Sequence, residues 1–419
     1  MSPNRIAESS VAPTVRQQIQ RLAALPAVHA AFGWFRAHEH ELRDRQLELV
    51  RIPAPPFGEE ARGEWLRARF SEIRLEDVHV DEVGNVFGLL AGSDPLRPLV
   101  ALTAHIDTVF PATTLLNVRR EGERLLGPGI SDNGAGVTGM MAIASAMKAA
   151  AVPHAAGVLF IGNVGEEGEG DLRGMRHIFS HPRWKDIIGY TVVLDGAATD
   201  TIVTQGLGSR RFEVTIHGPG GHSWSDFGMP NPIAVLARAV VKLTQTPLPA
   251  EPKTTCNVGV ISGGSSVNSI PERASMRVDI RSALDENIDL VERALREAVA
   301  WSIAEAHARV QDHGEHVSYE IRLIGNRPAA ELEPGAYILQ VMRAVDQHLG
   351  NSARLHRAST DANIPMSLHK EAISTGAGGS GGGAHTVHEW YDPTQRELGL
   401  KRILLAVTAL AGLPEPETE

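Results

Sequence analysis

The chain has 419 residues, and a formal net charge of −10 with a pI near 6.0 argues against a nucleic-acid-binding surface, which is normally basic. Its single cysteine, Cys256, excludes an internal disulfide and is typical of a protein from a reducing compartment. The first residues lack the apolar core of a signal peptide, and no stretch approaches the roughly 20 apolar residues that span a bilayer, so we expect a cytoplasmic protein without a membrane partner.

The first half of the chain alternates between helical and strand patterns. After a tail at residues 1–12, apolar spacing predicts helices over residues 14–52, 59–73, 134–147 and 172–179. Two short strands are predicted on either side of Gly84 and Asn85. Continuous apolar runs predict strands buried on both faces at residues 99–102, 157–164 and 190–195. This alternation predicts an α/β fold with a mixed, mostly parallel sheet flanked by helices.

The pattern changes after residue 206. The elements predicted there follow the order β-α-β-β-α-β, which is the ferredoxin-like arrangement: strand 210–217, helix 232–243, strands 255–262 and 274–281, helix 286–310 and strand 317–323. Helices at 337–349 and 394–410 then return to the first pattern. We therefore predict one domain formed by residues 1–206 and 326–419, with a second domain inserted at 207–325.

Acidic and imidazole side chains follow the predicted buried strands. His105 and Asp107 end the first of these strands, Glu166 and Glu167 follow the second, and Asp195 ends the third. In α/β proteins this edge of the sheet is where ligands bind. His105 and Asp107 share one face of a strand. In a metal site, Asp107 would either bind the metal itself or orient the histidine. The other interpretation is that both are ordinary surface residues.

Other polar and glycine-rich segments allow more than one interpretation. Asp132 precedes a helix and is either an N-cap or a metal ligand. The adjacent carboxylates of Glu166 and Glu167 repel each other, so a nearby cation would stabilise the pair. Residues 376–383 are almost all glycine, and by composition alone they predict a flexible linker.

Six short motifs occur in a characteristic order, namely His105-Ile106-Asp107, Ser131-Asp132-Asn133-Gly134, Gly165-Glu166-Glu167-Gly168, Leu194-Asp195-Gly196, Gly220-Gly221-His222-Ser223 and the late His385. In this order and spacing the chain resembles the co-catalytic zinc exopeptidases, a family that includes peptidase T, carboxypeptidase G, succinyl-diaminopimelate desuccinylase and aminoacylase. The resemblance covers roughly residues 50–405. It implies a metallohydrolase domain with an inserted dimerisation or lid domain.

The resemblance also implies a ligand set for two Zn²⁺ ions per subunit. Asp132 bridges the two metals, His105 and Asp195 complete one site, and Glu167 and His385 complete the other. Co²⁺ or Mn²⁺ could replace zinc at ligands of this kind. The family pattern places an acid four residues after the histidine, and Glu389 therefore favours His385 over the nearby His388.

Catalytic roles follow from the same resemblance. Glu166 is implied as the general base that deprotonates a metal-activated water and passes the proton to the leaving amine. Asp107 is implied as the residue that orients His105. The family also has a cis peptide bond after the bridging aspartate, which predicts one at Asp132–Asn133.

The inserted domain is implied to contribute to the active site. The resemblance gives His222 the role of stabilising the oxyanion in the partner subunit, which requires a homodimer joined through inserted domains. Asn268 and Arg281 resemble the substrate contacts of the family, and an arginine can bind a substrate carboxylate with two parallel hydrogen bonds. Residues 376–383 are then expected to lie close to the substrate, and Asp361 is expected to face the same pocket.

The substrate class follows from details of the ligand motifs. Asp195 and the segment from His385 to Glu389 favour the peptidase T-like branch, which predicts an exopeptidase that cleaves short peptides from the amino end. An N-acyl-amino-acid amidase with the same metals is the alternative. A metal-binding or peptide-binding protein that has lost catalysis is a third possibility, and it is disfavoured because every implied ligand and Glu166 are present.

Overall fold

The structure is a computed structural model that describes residues 11–309 and 316–415. Residues 1–10 of the expected tail and Val310, at the end of a predicted helix, lie outside these ranges. The helices in the described ranges are α1 (Pro13–Ala23), α2 (Pro26–Ala37), α3 (Glu39–Val50), α4 (Glu60–Ile73), α5 (Gly134–Ala149), α6 (Arg173–Ser180), α7 (Pro232–Thr244), α8 (Asp285–Arg309), α9 (Tyr337–Leu349), α10 (Asn363–Ser367) and α11 (Arg396–Ala411).

The strands of the described residues fall into four sheets. In chain order they are β1 (Glu76–Val80), β2 (Val86–Leu90), β3 (Leu99–His105), β4 (Arg119–Glu121), β5 (Arg124–Leu126), β6 (Val158–Asn163), β7 (Ile188–Leu194), β8 (Thr201–Gly206), β9 (Gly208–His217), β10 (Gly221–His222), β11 (Thr255–Gly263), β12 (Ser269–Ile270), β13 (Arg273–Ser282), β14 (Ser318–Arg327), β15 (Ala330–Glu331), β16 (Arg354–Ala358), β17 (Glu371–Thr375), β18 (Ser380–Gly382) and β19 (Trp390–Asp392).

Residues up to Gln205 and from Glu331 form the first compact unit, which is built on a nine-stranded sheet. Its strand order is β1-β2-β6-β3-β7-β17-β8-β15, and β16 also pairs with β8. The central strands β6, β3, β7 and β17 are parallel, whereas β1, β2 and β8 pair antiparallel with their neighbours. The predicted fold class, a mostly parallel mixed sheet flanked by helices, is confirmed.

The apolar runs of the sequence explain the centre of this sheet. Strand β6 is buried along its whole length, and β3 is buried from Val100 onward, as expected for strands covered on both faces. Helix α5 packs against β3, and almost all of its side chains are buried. The side chain of Asn133 caps this helix by accepting a hydrogen bond from the Gly136 N–H at 3.1 Å. The interpretation of Asp132 as the N-cap is therefore wrong.

Two features of the first unit differ from the sequence prediction. The helical pattern at 14–52 is three helices, because Pro26 begins a new helix after Leu25 and the chain breaks again at His38. Strand β17, in the middle of the sheet, and the small sheet β18-β19-β5-β4 were not predicted. None of the helices in the described part of the chain combines the length and the apolar character needed to cross a membrane.

Residues 206–330 form the second compact unit. Its antiparallel sheet has the order β11-β13-β9-β14, and helices α7 and α8 pack against it, which is the arrangement of a ferredoxin-like unit. Apolar side chains of β9, including Phe212 and Val214, share one core with Leu236 of α7 and Leu295 of α8. Strand β14 runs to Arg327, and this unit therefore extends further along the chain than the expected boundary at residue 325.

A buried ion pair ties helix α11 to helix α9 and strand β17. Arg402 has no exposed side-chain surface, and its Nε and Nη2 atoms donate to the two carboxylate oxygens of Asp346 at 2.6 and 3.0 Å. Its Nη1 donates to Thr375 Oγ1 at 2.5 Å. Because both charges are buried, removal of one partner leaves the other without a counter-charge.

We expect Arg402→Met to lower the free energy of unfolding by about 3–5 kcal/mol, because Asp346 would stay buried and unpaired. Urea unfolding followed by circular dichroism measures the change. Arg36→Met is the matched control, because Arg36 pairs with Glu397 on the exposed surface and its loss should leave the midpoint close to that of the unmodified protein. Equal midpoints for the two variants would show that the Arg402–Asp346 pair does not stabilise the unit.

Candidate metal centre

The residues predicted as metal ligands lie together at the carboxyl edge of the central sheet. His105 ends strand β3, Glu167 follows strand β6, and Asp195 follows strand β7. Asp132 immediately precedes the capping residue of helix α5, and His385 lies between β18 and β19. The parallel strands therefore position three of the candidate ligands, and two segments far apart in sequence supply the other two.

The ligand atoms form two groups of three that share Asp132. His105, Asp132 and Asp195 offer atoms that lie within 4.8 Å of one another, and so do Asp132, Glu167 and His385. Asp132 Oδ1 is 3.1 Å from His105 Nε2, and Asp132 Oδ2 is 3.2 Å from His385 Nε2. A carboxylate that presents one oxygen to each group has the arrangement needed to bridge two cations.

The side chains present fit a pair of divalent cations. Asp132 Oδ1 is buried and makes no hydrogen bond within the described residues, although His105 Nε2 is only 3.1 Å away. The two atoms thus approach each other without the alignment of a hydrogen bond, as expected for ligands directed at a common third point. Imidazole nitrogens mixed with carboxylate oxygens suit Zn²⁺ and similar divalent transition metals.

The ring of His105 is held so that Nε2 faces the other ligands. Its Nδ1 lies 3.2 Å from the main-chain carbonyl oxygen of Asp107, which can only accept, so in the neutral ring Nδ1 donates and Nε2 presents its lone pair. The Asp107 carboxylate is further away, with Oδ1 at 3.6 Å from Nδ1. The main-chain oxygen of Asp107 is therefore the nearer partner of this histidine.

The Asp107 carboxylate anchors the loop that carries Glu166 and Glu167. It is fully buried, and its two oxygens accept the backbone N–H groups of Glu166 at 3.0 Å and Glu167 at 2.7 Å. Burial alone would raise the pKa of Asp107, but His105 and these two N–H groups outweigh burial and hold the pKa below its ordinary value. The strand end and the acidic loop are thereby joined through one ionised carboxylate.

Glu166 lies beside the ligands without belonging to either group of three. One of its carboxylate oxygens is within 4.8 Å of a ligand atom of His105 and of Glu167, and its side chain is buried. A carboxylate in this position is near enough to exchange a proton with a water molecule at the cluster.

The charges of the cluster favour a positive charge at its centre. Asp132 and Glu167 raise the pKa of His385 to about 10. Burial opposes protonation of His105, but the carboxylates of Asp107, Asp132 and Asp195 hold the pKa of His105 well above its ordinary value. Burial likewise raises the pKa of Asp132, and the two imidazoles overcome this and lower it. A cation among these carboxylates would be stabilised in the same way as those protons.

The sequence indicated Glu389 only as the acid four residues after His385, and its place in the site was not predicted. It is fully buried, and its carboxylate accepts the backbone N–H groups of Gly129 at 2.8 Å, Ser131 at 2.8 Å and Asp132 at 2.7 Å. Burial raises its pKa to about 7 although these donors act in the opposite direction. Its position four residues after His385 is the sequence feature that could have identified it as a site residue. The three hydrogen bonds show that it holds the loop that carries Asp132.

Asp361 is buried next to the same strand ends. Its Oδ2 accepts a hydrogen bond from Asn163 Nδ2 at 2.7 Å, and Asn163 is the register partner of His105 between β6 and β3. Burial raises the pKa of Asp361 to about 7. The segment after β16 is therefore fixed to strand β6 beside His105.

The structure separates His385 from His388. Both histidines are exposed, but His385 belongs to one of the two ligand groups, whereas His388 belongs to neither. The main-chain N–H of His388 donates to Thr386 Oγ1 at 3.3 Å. The geometry therefore favours His385 as the ligand. The peptide bond between Asp132 and Asn133 is cis, as the resemblance predicts.

The glycine-rich segment 376–383 is part of the packed structure. A Cβ atom on Gly381 would lie 2.3 Å from Ser131 Oγ, and residues 380–382 form strand β18. Only glycine allows the backbone to approach the Asp132 loop this closely. The interpretation of this segment as a flexible linker is therefore wrong.

Three predicted site residues lie in the second unit. His222 is exposed in β10, and its Nδ1 accepts the N–H groups of Trp224 at 3.2 Å and Ser225 at 3.4 Å, so Nε2 carries the proton of the neutral ring. Asn268 is exposed, and its Oδ1 accepts from Ser266 Oγ. Arg281 donates from Nε to Asp279 Oδ2 at 2.7 Å.

Comparison with known proteins places these observations in one family. The model of Peptidase family M20/M25/M40 matches residues 101–409. A probable carboxypeptidase of Ajellomyces capsulatus is 30% identical over 244 residues, and this match spans about half of each chain, 54% of both.

Solved structures with the same fold include a tripeptidase of Staphylococcus aureus, which has a TM-score of 0.71 and 20% identity over 89% of this chain and 98% of that one. A Bacillus subtilis protein described as a dinuclear metal-binding peptidase from the M20 family has a TM-score of 0.65 and 15% identity, with 90% and 99% covered. At these identities the structural matches establish the fold.

We expect Glu389→Gln to loosen the Asp132 loop, because the amide nitrogen cannot accept from the backbone N–H groups that the carboxylate now binds. Zn²⁺ affinity should fall about 10–100-fold, and the free energy of unfolding should fall by about 1–3 kcal/mol. Competition with a zinc-binding dye and urea unfolding measure the two effects. Glu397→Gln, at a surface ion pair, is the control, and unchanged Zn²⁺ affinity in Glu389→Gln would contradict the anchoring role.

Proposed function

The chain belongs to Peptidase family M20/M25/M40, and from this premise we propose that it is a di-metal exopeptidase that hydrolyses short peptides from the amino end. The observation that carries the proposal is the pair of ligand groups that share Asp132, with the Glu166 carboxylate beside them. The tripeptidase with the same fold supports the choice of short peptides.

The proposed ligands of one Zn²⁺ ion are His105, Asp132 and Asp195, and those of the other are Asp132, Glu167 and His385. Co²⁺ or Mn²⁺ would suit the same donors. When bound, two such cations polarise a scissile carbonyl group and make water a better nucleophile near neutral pH. The chain itself holds His105 with Nε2 directed at the other ligands and holds Asp132 through the anchored loop.

Glu166 is proposed as the general base. The bond from its own N–H to Asp107 fixes its backbone, and its carboxylate oxygen lies within 4.8 Å of ligand atoms of His105 and Glu167. It accepts a proton from the attacking water and later donates that proton to the nitrogen of the leaving amine. Because the side chain is buried, the proton is retained between these two steps rather than lost to solvent.

The second unit is proposed to join two copies of the chain and to complete the active site of the partner. Strand β11 is an edge strand, and its outer side has no partner strand among the described residues. It exposes Val260 and Ile261, which supports pairing with a second copy. In such a homodimer the Nε2–H of His222 donates to the oxyanion, and Asn268 and the Nη groups of Arg281 bind the substrate backbone and carboxylate.

The alternative function is an N-acyl-amino-acid amidase that uses the same centre. The relative named as a probable carboxypeptidase supports a second alternative, which is cleavage of peptides from the carboxyl end. A protein that binds metal or peptide without catalysis is the least favoured function, because Glu166 and all five ligands are present at the cluster. The single cysteine supports a reducing, cytoplasmic location.

A substrate panel tests the proposal. We expect ninhydrin-detectable release of amino acids from free di- and tripeptides, little release from N-acetylated tripeptides, and loss of activity in a chelator that Zn²⁺ restores. Release of amino acids from N-acetyl amino acids alone would favour the amidase. Release from N-acetylated peptides would indicate cleavage from the carboxyl end instead of the amino end. Activity that survives chelation would overturn the metal-dependent mechanism.

Glu166→Gln tests the general base separately from the ligands. We expect kcat to fall by about 10²–10⁴-fold, because the amide cannot take the proton from water, while both Zn²⁺ ions of the proposed dinuclear centre are retained. Glu169→Gln is the matched control, because Glu169 lies three residues further along the same loop and is exposed. Near-normal kcat in Glu166→Gln would remove this residue from the mechanism.

A further inference from the structure

We propose that Glu82, His177 and His181 form a third metal site, for a divalent transition metal such as Zn²⁺, separate from the dinuclear centre. These residues are the one group of potential ligands in the described ranges that shares no residue with that centre. Glu82 lies between β1 and β2, and the two histidines lie at the C-terminal end of α6.

The spacing of the three side chains suits a metal ion. Their ligand atoms lie within 4.8 Å of one another, and His177 Nε2 is 3.3 Å from Glu82 Oε1. Two ligands at about 2.0–2.1 Å from a tetrahedral Zn²⁺ are about 3.4 Å apart. The histidine–carboxylate distances at the dinuclear centre, 3.1 and 3.2 Å, are close to the same value.

A buried nitrogen without a partner supplies a second, independent observation. His177 Nε2 is buried and makes no hydrogen bond in the described part of the structure. Besides Glu82, it faces Asp81 Oδ2 at 3.8 Å. An imidazole nitrogen that is shielded from water, faces carboxylates and is not hydrogen-bonded is suited to donate its lone pair to a cation.

The backbone holds the ligands in place from both sides. His177 lies in the last turn of α6, and His181 caps the C-terminal end of this helix, with its N–H donating to the His177 carbonyl oxygen at 2.8 Å. The turn with Glu82 is fixed by Asp81, whose Oδ1 accepts the N–H groups of Val83, Gly84 and Asn85 at 3.1, 2.9 and 2.8 Å. Arg173 of α6 also donates to the Val83 carbonyl oxygen at 2.7 Å. The turn and the helix are thus positioned without the metal.

Metal binding competes with one existing contact. His181 Nδ1 accepts the Arg183 N–H at 3.2 Å, so the neutral ring carries its proton on Nε2. A metal bound through either nitrogen displaces this hydrogen bond or the proton. Glu82 is also largely exposed, at 67% of its side chain. We therefore expect weaker binding here than at the dinuclear centre.

The consequence of this site is mechanical rather than catalytic. A metal held by Glu82 and the two histidines fastens the β1–β2 turn to helix α6. Helix α6 begins six residues after Glu167, so the fastened helix directly follows the loop that carries Glu166 and Glu167. The bound metal should slow amide hydrogen exchange in α6 and raise the thermal unfolding midpoint.

Zn²⁺ titration of protein whose dinuclear centre is already loaded tests the proposal. We expect the unmodified protein to bind one further Zn²⁺ per chain, and His177→Ala, His181→Ala and Glu82→Gln to lose that equivalent while peptide hydrolysis is retained. His40→Ala should keep it, because His40 has a carboxylate partner, Asp44 at 3.2 Å, but belongs to no cluster. On Zn²⁺ addition, deuterium uptake in α6 should fall in the unmodified protein and in His40→Ala. It should stay unchanged in the three ligand variants.

Equal Zn²⁺ binding by the unmodified protein and the three variants overturns the proposal, as does the absence of a further equivalent. Thermal unfolding in EDTA checks that each variant folds, and if a histidine variant does not, Glu82→Gln decides, because its side chain is exposed. If loaded protein hydrolyses no peptide but His177→Ala still loses one Zn²⁺, the proposed function fails while the third site stands.

Discussion

The first unit depends on one electrostatic constraint, which is that carboxylates packed within a few ångströms of one another need positive charge among them. Asp132, Glu166, Glu167 and Asp195 all offer oxygens to the cluster at the end of the central sheet. Without a cation, the neighbouring carboxylates raise the pKa values of the two imidazoles. The pKa of His385 rises to about 10 in this way. Such an arrangement is costly for folding alone, and cations bound among these carboxylates would offset that cost.

Two further acids act on the backbone instead. Asp107 and Glu389 are buried, and together their carboxylates accept five main-chain N–H groups of the loops that carry Glu166, Glu167 and Asp132. The pKa of Asp107 is held below its ordinary value, so this carboxylate is ionised and forms stronger hydrogen bonds than a neutral acid. A short loop with few apolar side chains can therefore still be held rigidly. The candidate ligands are therefore positioned by two residues that belong to neither group of three.

The sequence predicted the parts of this architecture that local pattern determines. Buried strands and the polar side chains at their ends follow from apolar runs, and His105 at the end of β3 is an example. Strand β17 could not be found in this way, because Glu371, Ser374 and Thr375 interrupt its apolar pattern and its place is set by pairing with β7, which is distant in sequence. The roles of Gly381 and Glu389 could not be predicted either, because both residues contact Ser131, which lies some 250 residues earlier in the sequence.

The inserted unit separates the parts of the candidate site in sequence. His105, Asp132, Glu167 and Asp195 precede it, whereas the segment that holds both His385 and Glu389 follows it. That segment supplies a candidate ligand and also anchors the loop of Asp132, which both groups of three share. Strand β17, which completes the parallel centre of the sheet, follows the insertion as well. The two sides of the first unit must therefore pair before Asp132 is fixed, so the candidate site forms only as the fold itself is completed.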